Sequence, residues 1–452
     1  MSRLTARPRL DTPQKRRRYE RNAVILLALG FGLVGLDRWI ISPLFPAMMA
    51  DLELDYADLG NIIGALGLAW GISALFMGRL SDRFGRRKVM VPGIILFSLC
   101  SVFTGLAGGL MSLILIRALM GITEGAFSPT AVASTAEASA PKRRGLNMGF
   151  QQSTFALFGI GLGPIIATQL LVVLPSWRWV FAIMVIPGLI LGFLIWRTIR
   201  EPEELREDLL EAEHDGQPDP AAVPAGPASS PSVLHGEGEA ERHRWIDVFR
   251  YRNIVFCTLA LCGAMTCIFV MSSMVPSYLT DFHHMSLQDM GLATSGIGFG
   301  AFAGQLLIPG ISDRIGRKPA ALIALALGLA MMLLLIAQGP NTLTIFLLLF
   351  AVALGVNGTL ALVSATVSVE SVPPALMATA AGAVMGIGEI FGGGIAPVVA
   401  GQLATAFGIQ APLYLALGGI VFAFLMVLFL VESAPRKRTR DPVAQNLVPA
   451  VD

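Results

Sequence analysis

Long, continuously apolar stretches recur along the whole of this 452-residue chain. A helix of about 20 apolar residues is long enough to cross the hydrocarbon core of a bilayer. The residues do not alternate between apolar and polar, which excludes the strands of a membrane barrel. The sequence therefore predicts an all-α membrane protein with twelve transmembrane helices. They are expected at about residues 23–47, 58–79, 89–107, 111–135, 146–172, 178–198, 253–279, 288–310, 318–337, 343–369, 376–404 and 411–432.

The composition agrees with this prediction. Apolar residues make up 54% of the chain and charged residues 14%, whereas a soluble domain carries about 25% charged residues. All four cysteines lie inside apolar stretches, so we interpret them as small hydrophobic residues without a disulfide framework or metal-ligand spacing. They are Cys100, Cys257, Cys262 and Cys267. The first twenty residues are polar and Arg-rich, so no cleaved signal peptide is expected.

Basic residues cluster in alternate loops, and the opposite loops are nearly free of them. The clusters precede the first stretch and follow the second, fourth, eighth and twelfth, as in Arg83, Arg87, Lys142, Lys318 and Lys437. Because short cytoplasmic loops carry an excess of Lys and Arg, both termini are expected in the cytoplasm. We therefore predict a multi-pass protein of the inner, or cytoplasmic, membrane. The Arg-rich start is explained by topology and by anionic lipid, so no nucleic-acid partner is expected.

A single long polar segment divides the chain. Residues 201–252 begin acidic and continue rich in Pro, Ala and Ser, which indicates a mostly disordered cytoplasmic linker. The predicted organisation is a basic N-terminal segment, a six-helix half, this linker, a second six-helix half and a cytoplasmic tail. Their ranges are 1–22, 23–200, 201–252, 253–432 and 433–452.

The two halves are internally repeated. Asp82 and Asp313 lie in matching loops, and Glu137 aligns with Glu370 at the ends of matching stretches. Repeats of this kind pack around a pseudo-symmetry axis, and a central site is exposed alternately to each side of the membrane. The pattern predicts two pseudo-symmetric halves of one transporter.

Two loop motifs carry a resemblance to a known family. One motif resembles the loop between helices two and three of the major facilitator superfamily; it reads Gly78-Arg-Leu-Ser-Asp-Arg-Phe-Gly-Arg86. The other resembles the corresponding loop of the second half, between helices eight and nine; it reads Gly310-Ile-Ser-Asp-Arg-Ile-Gly-Arg317. The resemblance implies the major facilitator fold, a secondary active transporter, no cofactor, no enzymatic activity and a monomer. It also implies a charged network that latches the halves in the outward-open state. We carry that gating role to Asp82, Arg86, Glu137, Asp313, Arg317 and Glu370.

Few ionisable residues lie within the apolar stretches. An ion at the bilayer centre costs about 2.5–3.5 kcal/mol on insertion scales, so each is a functional candidate. Asp37 and Arg38 are neighbours in helix one and point about 100° apart, so each needs a partner on another helix. Arg117 and Glu124 lie two turns apart on one face of helix four, with a rise of roughly 10.5 Å. Glu389 in helix eleven stays open between a structural and a functional role.

These charges sharpen the resemblance. The Asp37-Arg38 pair and the Arg117-to-Glu124 segment are similar to the anion:cation symporter branch, and the spinster-like lipid transporters share both features. The first branch implies that Arg38 binds a substrate carboxylate and that Glu124 exchanges protons. We add Arg117 to the substrate site and Asp37 to proton coupling. The repeat counterpart of Glu124 is Asn357, which carries no charge. This difference between the halves indicates that anion binding and proton coupling lie mainly in the first half.

Polar residues are expected to complete the cavity. Gln152, Tyr278 and Asn357 can orient hydroxyl groups of a ligand, although such residues also join helices by hydrogen bonds. The sequence predicts proton-coupled uptake of a small organic anion, such as a sugar acid or an aromatic or aliphatic carboxylate. A proton-driven antiporter that exports drugs or lipids stays open as the alternative. Substrate identity and coupling to H⁺ rather than Na⁺ are not fixed by the sequence.

Overall fold

A computed structural model describes residue 10 and residues 12–140, 143–205, 245–373 and 376–433. Twelve helices in these ranges are long and apolar enough to cross a membrane, which confirms the predicted all-α architecture. The prediction of a linker at 201–252 and of a tail at 433–452 falls largely outside the described residues.

The first six helices form one half. They are α1 (Pro13–Leu52), α2 (Tyr56–Phe84), α3 (Arg86–Gly105), α4 (Leu110–Ala138), α5 (Arg144–Val173) and α6 (Trp177–Thr198). The second half begins after a short 3₁₀ segment, Trp245–Arg250. It contains α7 (Arg252–Phe282), α8 (Leu287–Ile315), α9 (Arg317–Ala337), α10 (Thr342–Glu370), α11 (Met377–Glu389, Ile390–Ile395 and Ala396–Phe407) and α12 (Ala411–Leu428).

The helices pack in the same way in both halves. Helix α2 lies against α4 as α8 lies against α10, and α3 lies against α6 as α9 lies against α12. The matching loops turn in the same way, since Gly85 and Gly316 have positive φ angles of 101° and 107°, a region that favours glycine. Two π-helical segments also match, Ala156–Leu162 in α5 and Ile390–Ile395 in α11.

The two halves meet closely through two helix pairs. We call the side of the protein with the Gly85 and Gly316 loops the basic face, and the other side the opposite face. Helix α2 packs on α11, and α5 on α8. At Gly67 and Gly298 the backbones approach so closely that a Cβ would overlap the backbone of Gly393 or Gly161.

The contacts between the halves continue to the opposite face. There, the hydroxyl of Tyr56 on α2 donates to Asp281 Oδ2 at the end of α7 over 2.7 Å. The backbone N–H of Ala57 donates to Thr405 Oγ1 on α11 over 3.1 Å. Nearer the basic face, a Cβ on Gly149 or Gly382 would meet no described atom within 4 Å. The interface is therefore closed on the opposite face.

Candidate functional site

Five ionisable side chains meet at the centre of the helix bundle. Asp37 and Arg38 come from α1, Arg117 and Glu124 from α4, and Glu389 from α11, and their exposed fractions lie between 0 and 5%. Ionised groups are rarely buried without partners or function. We call these five residues the central cluster.

Arg38 forms an ion pair across the two halves. Its guanidinium donates to Glu389 Oε1 over 2.6 Å. The guanidinium carbon lies 4.9 Å from the ring centre of Phe269 and 5.8 Å from that of Trp70. The expectation that Arg38 needs a partner on another helix is confirmed. Four of the five residues of the central cluster belong to the first half, and α11 adds Glu389 from the second half.

Asp37 and Arg117 bind the neighbouring helices of the first half. Asp37 Oδ1 accepts a hydrogen bond from Ser101 on α3 over 3.0 Å. Arg117 donates to the backbone carbonyl oxygen of Asp37 over 2.9 Å, and its guanidinium lies 5.7 Å from the ring centre of Phe181. These contacts hold the middle of α1 in place. Arg117 Nε and Nη2 are buried and have no hydrogen-bond partner among the described residues.

Glu124 is fully buried, and neither carboxylate oxygen has a hydrogen-bond partner in the described part of the chain. Its carboxylate experiences the charges of Arg38, Asp37, Arg117 and Glu389. A buried carboxylate without a hydrogen bond is costly as an ion. Glu124 is thus placed to change its protonation without breaking a hydrogen bond to a described residue.

The three predicted polar ligands have different surroundings. Gln152 is half-buried, and its buried Oε1 atom has no partner among the described residues. Asn357 is buried and donates to the carbonyl oxygen of Ala353 on its own helix, over 3.2 Å. Tyr278 lies nine residues beyond Phe269, which is about 13.5 Å along a helix.

The hydroxyl of Tyr278 is 2.9 Å from His283 Nε2, near the opposite face. Burial, together with the neighbouring His284, lowers the pKa of His283. Tyr278 therefore belongs to the closed end of the interface and not to the central cluster.

The first loop network joins helices of the same half. Arg86 donates to Glu137 Oε1 at 2.9 and 3.1 Å, and to Ser81 Oγ at 2.8 Å. The side chain of Asp82 lies outside the described residues. The contacts described for Arg86 stay in the first half.

The second network repeats the first. Arg317 donates to Glu370 Oε1 at 2.9 Å, to Asp313 at 2.5 Å and to Ser312 Oγ at 2.6 Å. Ser433 also donates to Glu370, over 2.6 Å. In this conformation the described contacts of each network join helices of its own half. They do not bridge the halves.

Two acidic residues complete these networks and were not singled out by the sequence analysis. Glu201 accepts hydrogen bonds from the backbone N–H groups of Arg86 and Arg87 at 2.7 and 3.1 Å. Glu432 accepts them from Arg317 and Lys318 at 2.8 and 3.2 Å. Each carboxylate accepts hydrogen bonds from backbone N–H groups that have no partner within their own helix, at the helix start. The signal was present in the sequence, since both glutamates follow the last helix of their half.

The cysteines form no disulfide within the described part of the chain. All four cysteines are free, and three of them are buried. In the residues that the structure describes, no group of three or more His, Cys, Asp or Glu side chains could hold a metal ion.

Comparison with known proteins identifies the class. The Major Facilitator Superfamily model matches residues 27–387 and 282–451. The probable 4-methylmuconolactone transporter of Cupriavidus pinatubonensis is 27% identical over 384 residues, which cover 84% of this chain and 83% of that protein. The gentisate transporter of Corynebacterium glutamicum is 26% identical over 393 residues, covering 85% and 81%.

A solved structure has the same fold. The inward-facing, unoccupied bacterial homologue of the human lysosomal transporter Spinster superposes with a TM-score of 0.68 at 19% identity. The alignment covers 91% of this chain and 95% of that chain. The family match and the relatives identify the class as a membrane transporter and not an enzyme, and the twelve membrane-length helices of the described residues make it multi-pass. The chain belongs to the Major Facilitator Superfamily.

Proposed function

We propose that this transporter takes up a small organic anion together with protons, by alternating access. The observation that carries the proposal is Arg38, a cation buried at the interface of the halves and flanked by aromatic rings. A guanidinium matches a carboxylate with two parallel hydrogen bonds. Two relatives whose names specify transport of gentisate and of 4-methylmuconolactone support an organic acid as substrate.

The proposed coupling acts through competition for positive charge. While Glu124 is ionised, the central cluster holds three carboxylates against two guanidinium groups, which disfavours entry of another anion. Protonation of Glu124 removes one negative charge, so a substrate carboxylate can bind Arg38. Proton and anion then cross together. Asp37, which is held by Ser101, contributes to the same charge balance.

The substrate path is proposed to run between the halves. Gln152 and Asn357 would contact the ligand beyond its carboxylate, and Tyr278 would act at the opposite-face end. The two loop networks would gate the basic face. Because that face carries the Arg and Lys residues, it would lie in the cytoplasm. Both termini would lie on the same side of the inner membrane, and the protein would act as a monomer.

Uptake into proteoliposomes tests this function. Purified protein is reconstituted, a pH gradient acidic outside is imposed, and uptake of gentisate, benzoate, galactonate and an aliphatic carboxylate is compared. At least one of these anions should accumulate above equilibrium and should lose accumulation in Arg38→Ala. Uptake that is indifferent to Arg38→Ala for every anion would refute the anion site. Outward movement of drugs or lipids driven by protons would instead support antiport.

A further inference from the structure

We propose that Glu389 is the carboxylate that the substrate anion displaces from Arg38, and that Glu389 takes up a proton as it is displaced. This inference rests on the proposed anion uptake and adds a second proton-binding residue to it, in the half opposite Glu124.

The geometry already gives the Arg38 guanidinium a carboxylate partner, Glu389. The Arg38–Glu389 contact of 2.6 Å joins side chains that are 3% and 7% exposed. A carboxylate ligand would use the same guanidinium that Glu389 occupies. The Glu389 carboxylate therefore occupies the position expected for a substrate carboxylate. Substrate binding requires that the substrate carboxylate replace that of Glu389 on Arg38.

The backbone of α11 is adapted to this position. Gly393 lies one turn beyond Glu389, and a Cβ there would come within 2.6 Å of Glu389 Oε1 and 3.0 Å of Phe269 Cε1. Because Gly393 has no side chain, the carboxylate of Glu389 has room beside Phe269. A π-helical segment, Ile390–Ile395, follows Glu389 directly, and such segments are frequent at functional sites.

The charges around Glu389 decide the fate of the displaced carboxylate. Arg38 faces it from α1, and Glu124 acts on it from α4. Asp37 and Arg117 complete the cluster, whereas Trp70 and Phe269, from α2 and α7, carry no titratable group. Once the anion holds Arg38, an ionised Glu389 would be a buried carboxylate beside Glu124 without its counter-ion, which is strongly unfavourable.

A proton resolves this conflict. In the exchange, the ion pair of Arg38 and Glu389, one substrate anion and one proton become an ion pair of Arg38 and substrate and a neutral Glu389. The net charge of the cluster is unchanged. When the anion leaves, Glu389 releases the proton and returns to Arg38. The Arg38–Glu389 pair then joins the two halves of the empty carrier, so the carrier can reorient without an uncompensated cation in its centre.

Glu389 and Glu124 are therefore expected to differ. Glu389 competes with the substrate for its salt-bridge partner Arg38, whereas Glu124 has no hydrogen bond to a described residue. Replacing Glu389 by Gln should increase anion affinity at high pH, because the competitor loses its charge. The same replacement should slow the return of the empty carrier, because Arg38 then lacks a carboxylate.

The test measures binding of gentisate and galactonate to purified full-length protein between pH 5.5 and 8, together with the protons taken up on binding. In the wild type, affinity should rise as the pH falls. In Glu389→Gln it should be about tenfold higher than wild type at pH 8, with one proton fewer taken up for each anion bound. Glu124→Gln is the matched control and should keep the proton uptake that depends on Glu389.

Net uptake and exchange provide a second readout in proteoliposomes. Glu389→Gln should lose most net uptake but retain exchange of internal for external anion, which does not require the empty carrier to reorient. Retained exchange also shows that the variant is folded. If Glu389→Gln proves unstable, Glu389→Asp keeps the acid on a shorter chain and should bind the anion more tightly than wild type at pH 8.

The outcomes separate the two proposals. Wild-type affinity and proton uptake in Glu389→Gln, with binding still lost in Arg38→Ala, would overturn the role of Glu389 alone. Binding that is unaffected by Arg38→Ala, or no binding of any carboxylate to the wild type, would overturn the anion site and this inference together.

Discussion

Gly67 on α2 and Gly393 on α11 touch backbone to backbone across the interface of the two halves, leaving no space for a methyl group on Gly67. The contact belongs to the α2–α11 packing that continues to the closed opposite face, and Gly393 also borders the carboxylate of Glu389. Closure of the opposite face and placement of the central ion pair therefore depend on the same small residue.

Gly67→Ala should open the opposite face. Overpacking costs about 1–3 kcal/mol, and the halves can relieve it by separating, so the ratio of closed to open carriers should fall by about tenfold. An Ala57→Cys reporter, in a background without the native cysteines, measures the change by labelling with an impermeant maleimide from outside. Gly382→Ala is the control, because its Cβ would meet no described atom within 4 Å. Equal labelling in both variants would contradict this account of the gate.

Glu124→Gln should weaken proton coupling without destabilising the protein. The carboxylate has no hydrogen-bond partner among the described residues, so the amide should leave the thermal midpoint unchanged or higher. Accumulation driven by a pH gradient should fall, because only the proton carried by Glu389 then remains, while anion exchange continues and becomes less dependent on pH. Uptake by imposed gradient and thermal unfolding in detergent check both parts. A large fall in thermal midpoint would show that Glu124 is instead a structural partner.

Arg117 should act mainly by holding helix α1. Its described hydrogen bonds go to backbone oxygen atoms and to Met120, and removing one charge from a buried cluster costs about 3–5 kcal/mol. Arg117→Met should therefore lower the thermal midpoint strongly. Arg178→Met is the control, since Arg178 also donates to backbone carbonyls but is 36% exposed in its pair with Asp51. A normal midpoint in Arg117→Met combined with lost anion binding would identify Arg117 as a substrate ligand.

The loop networks should affect turnover and not substrate affinity. Glu370→Gln weakens the contacts to Arg317 and Ser433 in a largely buried setting, so a stability loss of about 1–3 kcal/mol is expected. Transport should show a lower kcat at an unchanged KM. Asp247→Asn is the control, because its partner Arg250 is 84% exposed and such pairs contribute about 0–1 kcal/mol. A changed KM in Glu370→Gln alone would place this network at the substrate site.

The sequence was sufficient for some of these features and not for others. The twelve helices follow from apolar length, and the tight turns at Gly85 and Gly316 follow from their repeated motifs. The pairing of Arg38 with Glu389 could not be predicted, because it depends on which faces of α1 and α11 meet across the halves. The caps formed by Glu201 and Glu432 depend on the fold as well: each glutamate follows the last helix of its half, and only the fold brings it beside the start of α3 or α9.

The most direct test of the account is proton movement caused by the anion itself. Proteoliposomes without an imposed gradient, containing a pH-sensitive dye, receive each carboxylate of the panel from outside. The account predicts that a transported anion acidifies the lumen in the wild type, that Arg38→Ala abolishes the signal, and that Arg38→Lys retains only part of it because Lys cannot form the paired hydrogen bonds. Anion entry without acidification in the wild type, or an equal signal in Arg38→Ala, would contradict it.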